Sequence, residues 1–201
     1  MTEFLKNPIY CVDAGSVSFW GNNHLTLNGK QRFMWSTNLG SLGFGLTSAI
    51  GAQFAYPDRR VIVLSGDGGF DMLIGDFATQ VKYNLPIVNV VYNNSEYAFI
   101  ELEQETQGFP VFGTKFKNPN YADLAKAYGG DGIKVTAYDE LEDALKTAFK
   151  SKVPFIIDVL VNPKELYIPP VFSPKMAAGF AESMVKTYVD ETFFKGAFQQ
   201  D

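Results

Sequence analysis

The run Val61-Ile62-Val63-Leu64-Ser65-Gly66-Asp67-Gly68-Gly69-Phe70 joins a β-rich apolar stretch to glycines and then to residues of helical pattern. Glycines let a backbone approach an anion closely, and the N–H groups and positive dipole end of a helix start suit phosphate oxygens. Asp67 lies in the middle of this turn, where a carboxylate alone would repel a diphosphate. The arrangement makes chemical sense with a divalent cation between the two, and oxygen ligands beside phosphates suit magnesium. More oxygen donors are then needed. Asn93-Asn94-Ser95-Glu96 follows Gly68 after 24 residues, behind a second apolar run, Ile87 to Tyr92, that sets it on the same sheet edge. A glycine-rich turn with a capping Asp is the other reading of the first run taken alone. Asn38-Leu39-Gly40-Ser41-Leu42-Gly43-Phe44-Gly45 opens another helix with glycines that leave the backbone approachable.

These residues need a scaffold that delivers several strand ends to one edge. Short β-rich runs at Ile9 to Val12, Val61 to Leu64, Ile87 to Tyr92, Gly132 to Val135 and Pro154 to Val161 alternate with helical patterns. The helical patterns cover Leu42 to Phe54, Phe70 to Tyr83, Tyr121 to Tyr128 and Leu141 to Lys150, with one more after Asn94. Phe155 to Val161 is apolar enough to be buried on both faces, as parallel sheets require. The expectation is an α/β fold, a doubly wound and mainly parallel sheet with helices on both faces. Pro163, Pro169, Pro170 and Pro174 mark the exit from the sheet. Met176, Phe180, Met184 and Tyr188, four apart, predict a terminal helix packed back along that face. The predicted division is an α/β domain over 1–172 and a helical tail over 173–201.

With 201 residues, 46% of them hydrophobic, the chain can bury one sizeable core. Seventeen basic residues against 22 acidic ones give a net charge of −5 without a basic tract, which disfavours nucleic acid as a partner. The single cysteine, Cys11, excludes an internal disulfide or a thiolate cage and reads as core. No apolar run reaches the roughly 18 residues of a spanning helix, and the first residues lack a signal-peptide layout. A cytoplasmic protein is expected. His24, after Asn22-Asn23, reads as a loop residue at the surface.

The strand, Gly66-Asp67-Gly68, helix, strand and Asn93-Asn94 together resemble the thiamine diphosphate motif, and the resemblance extends through nearly the whole chain. It implies the thiamine diphosphate-binding fold, with Mg2+ held by Asp67, the Asn94 side chain and the main-chain oxygen of Glu96. Gly66, Gly68 and Gly69 would then lie along the diphosphate, the last two donating backbone N–H groups. Gly15 and Ser16, after the first strand, are implied as a second diphosphate contact. The Gly40 carbonyl would accept from the aminopyrimidine amine, and Leu42, where many members have Met, would be the apolar wedge that bends the cofactor.

Gly66 to Phe77 and Lys164-Glu165-Leu166-Tyr167-Ile168-Pro169-Pro170 look most like the bacterial pyruvate oxidases, including the quinone-linked pyruvate dehydrogenase. This implies pyruvate as substrate, loss of CO2, and transfer of two electrons to FAD. Phe99 and Glu103 match positions that line the reacting centre in similar oxidases. Phe99 would shield it, and Glu103 would handle protons or phosphate; a solvated acid among Glu101, Glu105 and Gln107 is the plainer reading of Glu103. Carboligation as in acetolactate synthase, or plain 2-oxo acid decarboxylation, is the alternative.

Whole enzymes of this kind carry a pyrimidine-binding and a flavin-binding domain before this one, and their catalytic Glu lies in the first of these on a neighbouring subunit. The chain is therefore expected to be a fragment, or one subunit of a split enzyme, inactive alone and part of a homo-oligomer, a dimer or tetramer. The matching end of the quinone-linked enzymes moves to the membrane. Here three lysines against four acids from Lys175 to Asp201 give anionic lipid no pull, so packing is favoured over peripheral membrane contact.

Overall fold

The structure, a computed structural model, describes residues 7–163, 165 and 173–198, with side chains up to residue 189. In chain order the elements are β1 (Ile9–Val12), α1 (Ser16–His24), β2 (Arg32–Trp35), α2 (Phe44–Ala55), β3 (Val61–Gly66), α3 (Asp67–Met72), α4 (Phe77–Lys82), β4 (Val88–Asn93), α5 (Ala98–Thr106), α6 (Tyr121–Tyr128), β5 (Asp131–Val135), α7 (Leu141–Lys150), β6 (Phe155–Leu160) and α8 (Pro174–Phe198). The six strands form one sheet in the order β2-β1-β3-β4-β6-β5, and every pairing is parallel. The doubly wound α/β fold expected from the β/α alternation is the one observed.

The chain divides into two compact units. One comprises residues up to Ser95 with Lys117–Pro163, and the other Glu96–Phe116 with the chain from Lys164 on. The first unit holds the whole sheet. Alternate strand residues face opposite sides, so Tyr10, Ile62, Val88, Phe155 and Ile157 enter one cluster with Val17 of α1 and Ala148 of α7. On the other face Cys11 and Val63 meet Ala49 of α2, while Val91 and Ile156 meet Phe70, Phe77 and Tyr121. Helices cover both faces, which is why strands β1, β3, β4 and β6 are apolar almost throughout. A polar exception is Asn89 in β4, which exchanges amide hydrogen bonds with Gln80 of α4 at 2.9 and 3.2 Å.

Local chemistry sets several boundaries. The Asn120 side chain accepts from the N–H groups of Ala122 and Asp123 and so starts α6. Gly129, at φ 95°, ends it. The helix expected over Phe70 to Tyr83 is broken. Helix α3 begins at Asp67, Leu73 leaves helical geometry at φ −129° and ψ 23°, a 3-10 turn spans Ile74–Asp76, and α4 resumes at Phe77. The break lays Leu73 against Gly43, where a Cβ would come within 2.5 Å of Leu73 Cδ1.

Two elements carry little signal of their own. Helix α1 is mostly Ser, Gly and Asn; it packs because Gly21 lets it approach Val12, where a Cβ would sit 3.3 Å from Val12 Cγ1. Its last residue is His24, so the expected loop is a helix end, with the imidazole stacked on Trp20 at 5.6 Å. Strand β2 is a partly exposed edge strand of four residues.

In the second unit α5 packs on α8, with Gly179 against the Thr106 carbonyl. The expected inward face of the terminal helix holds only in its first half: Met176 and Phe180 are half-buried, whereas Met184 and Tyr188 are 60% and 73% exposed and Ser183 is buried. Polar anchoring explains the rotation. Ser183 Oγ donates to the Phe109 carbonyl, Lys186 Nζ to that of Gly108, and the Val111 N–H to Thr187 Oγ1. Among the described residues no helix is long and apolar enough to cross a membrane.

Burial pushes the Cys11 thiol up to about 11. At pH 8 its thiolate fraction is then on the order of one in a thousand, since only the thiolate reacts. The native protein should therefore react with Ellman's reagent far more slowly than the same protein in denaturant; equal rates would place Cys11 outside the core.

Candidate functional site

From β1 the chain turns to β2 on one side, and from β3 it turns to β4 on the other. The carboxyl ends of β1 and β3 therefore flank a topological switch point, where open α/β sheets form a crevice. Asp13 follows β1 there and Asp67 follows β3. Both carboxylates are buried, Asp13 at 0% and Asp67 at 1% exposure.

Asp13 gathers donors from separate segments. Its Oδ1 accepts from the N–H groups of Ala14 at 2.9 Å and Gly45 at 3.3 Å, and its Oδ2 from the Gly43 N–H at 3.1 Å and Ser65 Oγ at 2.7 Å. This ties the glycine-rich turn before α2 and the end of β3 to the end of β1. Gly69 completes the packing, because a Cβ there would collide with Asp13 Oδ2 and meet Leu42 Cδ2 at 3.4 Å.

Asp67 is surrounded in a different way. Its Oδ1 accepts from the Gly68 N–H at 2.8 Å, and its Oδ2 from the Ser95 N–H at 2.6 Å and Asn118 Nδ2 at 2.7 Å. Ser95 reaches this position with φ 61°, a left-handed conformation that costs about 1 kcal/mol or more outside glycine. Burial raises the Asp67 carboxyl above its ordinary value, opposed by hydrogen bonds from Ser95, Gly68, Asn118 and the Asn94 backbone.

The structure brings Gly15, Gly40, Leu42, Gly66, Asp67, Gly68, Gly69 and Asn94 into the first unit. Gly15 caps α1 at φ 106° and Gly40 lies in its loop at φ 57°, and a Cβ on either would meet nothing within 4 Å. Ser16 is the first residue of α1, and Leu42 is half-buried. The Gly68 N–H, expected to face a diphosphate, donates to Asp67 instead. Asn94 follows β4, whose pairing with β3 sets Tyr92 opposite Gly66, so the two strand ends are level.

Glu96, Phe99 and Glu103 belong to the second unit. Glu96 forms a single antiparallel bridge with Lys115, and Phe99 and Glu103 lie on α5 with Glu103 exposed. Glu105, on the same helix, is raised by burial and by Glu101 and lowered by Lys115. Ile168-Pro169-Pro170 lies outside the described residues.

Sequence reasoning passed over Asp13, Ser65 and Asn118. An acid at a strand end before glycine was a usable signal for Asp13. Asn118 precedes the proline and cap residue of α6, and nothing local marks it as a neighbour of Asp67, 51 positions away.

Among the described residues no cluster of three or more His, Cys, Asp or Glu could hold a metal. One carboxylate with amide and carbonyl oxygens is a donor set of the kind that magnesium accepts. Buried Asp67 beside the asparagine-rich end of β4 fits that requirement. The glycine packing is testable by urea denaturation. Gly69→Ala should lose about 1–3 kcal/mol through overpacking against Asp13, whereas Gly66→Ala, with nothing within 4 Å of its Cβ, should unfold close to the parent; the reverse order would refute the packing.

The thiamine pyrophosphate enzyme C-terminal TPP binding domain family matches residues 13–159. A Bacillus subtilis protein named for thiamine pyrophosphate content, YdaP, is 37% identical over 94% of this chain and 33% of its own length. Pyruvate oxidase of Lactiplantibacillus plantarum is 35% identical over 78% of this chain and 26% of its own. Acetolactate synthase isozyme 2 large subunit of Escherichia coli is 32% identical over 80% of this chain and 30% of its own. The chain thus spans about a third or less of the length of these relatives. With Asp67 and the glycine-rich turns on the crevice edge of a parallel sheet, and with that match running from Asp13 to Val159, the chain belongs to the thiamine pyrophosphate enzyme family as a C-terminal TPP binding domain.

Proposed function

We propose that this domain binds the diphosphate and Mg2+ of thiamine diphosphate in an enzyme that oxidatively decarboxylates pyruvate and passes the electrons to FAD. The observation that carries the reading is the buried Asp67 carboxylate, ringed by donors at the carboxyl ends of β3 and β4. A carboxylate so placed costs stability when ionised, and a divalent cation removes that cost. Asp67, the Asn94 side chain and the main-chain oxygen of Glu96 are the proposed metal ligands. Gly15, Ser16, Gly66, Gly68 and Gly69 are the proposed diphosphate contacts. Gly40 and Leu42 are assigned to the aminopyrimidine and to the bend of the cofactor.

Thiamine diphosphate, when bound, supplies the carbanion-stabilising chemistry that 2-oxo acid decarboxylation requires. The chain's own part is to bind and orient. Asp13 holds the Gly43 and Gly45 turn, the half-buried Leu42 presents apolar surface beside Gly69, and Phe99 and Glu103 are proposed to line the reacting centre. Residues 1–172 are proposed as the cofactor domain and 173–201 as a helical tail, in a cytoplasmic homo-oligomer with pyrimidine-binding and flavin-binding domains. Similarity to a pyruvate oxidase supports oxidation. Similarity to acetolactate synthases supports carboligation as the second reading.

Two outcomes are expected. With pyruvate, thiamine diphosphate, Mg2+ and FAD, the full-length protein should release CO2 and reduce flavin; acetolactate without flavin reduction would sink the oxidase reading. Carboxyl carbon NMR should show Asp67 titrating above the ordinary carboxylate value without metal. The sign follows from the raised folded-state value: its stabilising contribution is complete below the unfolded carboxylate pKa and is lost as pH rises through the folded one. Mg2+ with thiamine diphosphate should move that titration downward, and an unmoved titration would argue against metal at Asp67.

A further inference from the structure

A short chain of buried polar groups runs behind Asp67. Asp158 of β6 is fully buried, and its Oδ1 accepts from Asn93 Nδ2 at 2.8 Å. Asn93 Oδ1 then accepts from Asn118 Nδ2 at 2.8 Å, and the same Nδ2 donates to Asp67 Oδ2 at 2.7 Å. Ser95 Oγ lies 3.4 Å from that nitrogen. All of these residues belong to the first unit.

The carboxylates at the two ends determine the direction of the whole chain. An ionised carboxylate only accepts, so Asn93 must turn its amide NH2 toward Asp158 and its carbonyl oxygen toward Asn118. Asn118 must then offer NH2 to both Asn93 and Asp67. A flip of either amide would set oxygen against oxygen at one of these contacts. The N–H groups of Gly68 and Ser95 hold Asp67 from the main chain, whereas Asn118 holds it from a side chain. Among the described residues, Asn118 Oδ1 is buried and has no hydrogen-bond partner.

We propose that Asn118 is a positioning residue for the cation ligand Asp67. It fixes the rotamer of Asp67 and ties it to the end of β4, so that carboxylate and asparagine-rich turn present their oxygens to one divalent ion. The inference rests on the assignment of Asp67 as a metal ligand.

The test is a calorimetric Mg2+ titration of the full-length protein at fixed thiamine diphosphate, with kcat followed over the same Mg2+ range. Loss of an outer-shell partner typically weakens metal affinity by about 10- to 100-fold. Asn118→Ala and Asn118→Ser should both shift the Mg2+ midpoint upward by that factor, with kcat recovered in excess Mg2+. Asn120→Ala removes the neighbouring helix cap; it should lower the melting temperature and leave the Mg2+ midpoint in place. An equal shift in Asn120→Ala, or unchanged midpoints in both Asn118 variants while Asp67→Ala loses Mg2+ dependence, would overturn the role of Asn118 and leave the metal site standing. Retained Mg2+ dependence in Asp67→Ala would overturn both.

Discussion

A carboxylate withdrawn from water must be given donors, and this requirement at Asp13 organises the cofactor edge of the fold. Asp13 is fully buried and accepts from Ala14, Gly43, Gly45 and Ser65. Those donors come from the turn after β1, the start of α2 and the last part of β3. Satisfying one charge therefore brings three separate segments to fixed positions. Gly45 and Gly69 follow from the same constraint, since side chains there would press on Asp13.

Asp67 faces the same requirement one strand away. Its donors reach it from Gly68, Ser95 and Asn118, yet burial still raises its carboxyl. Ser95 adopts a left-handed backbone to supply its N–H. Strained backbone and a costly buried charge at the same point are what a binding site retains and a purely structural turn discards. The two acids differ in their partners: Asp13 ties separate segments together, whereas Asp67 is held by donors from Gly68, Ser95 and Asn118 at the ends of β3 and β4.

Much of the scaffold was legible in the sequence because parallel strands buried on both faces are apolar runs. Val61 to Leu64 and Phe155 to Val161 could hardly be anything else, and the observed strands differ from them by a residue or two. Helices α6 and α7 were visible in full, since one buries Tyr121, Ala122 and Ala125 along a single face and the other carries acids in its first turn and a lysine in its last. The elements that escaped are those whose stability is tertiary. Helix α1 is poor in helix formers and depends on Gly21 fitting against Val12. Strand β2 is a short edge, and the interruption at Leu73 answers to Gly43 rather than to its own neighbours.

By itself the sequence determined the chemistry on offer: a Gly-Asp-Gly turn at a strand end, an asparagine pair one strand later, and apolar runs that could only build a parallel sheet. Spacing along the chain carries that information because a strand, a helix and the next strand have nearly constant lengths. Only the tertiary structure decided which polar groups meet. Asp13 with Gly43, and Asp67 with Asn118, are contacts across 30 and 51 positions. Beyond Phe180 the inward face of α8 was likewise decided by Ser183 and Thr187 meeting the 108–111 segment, not by its four-residue apolar spacing. Hydrogen-bond satisfaction in a buried site depends on distance and direction in space, and no periodicity along the chain encodes those.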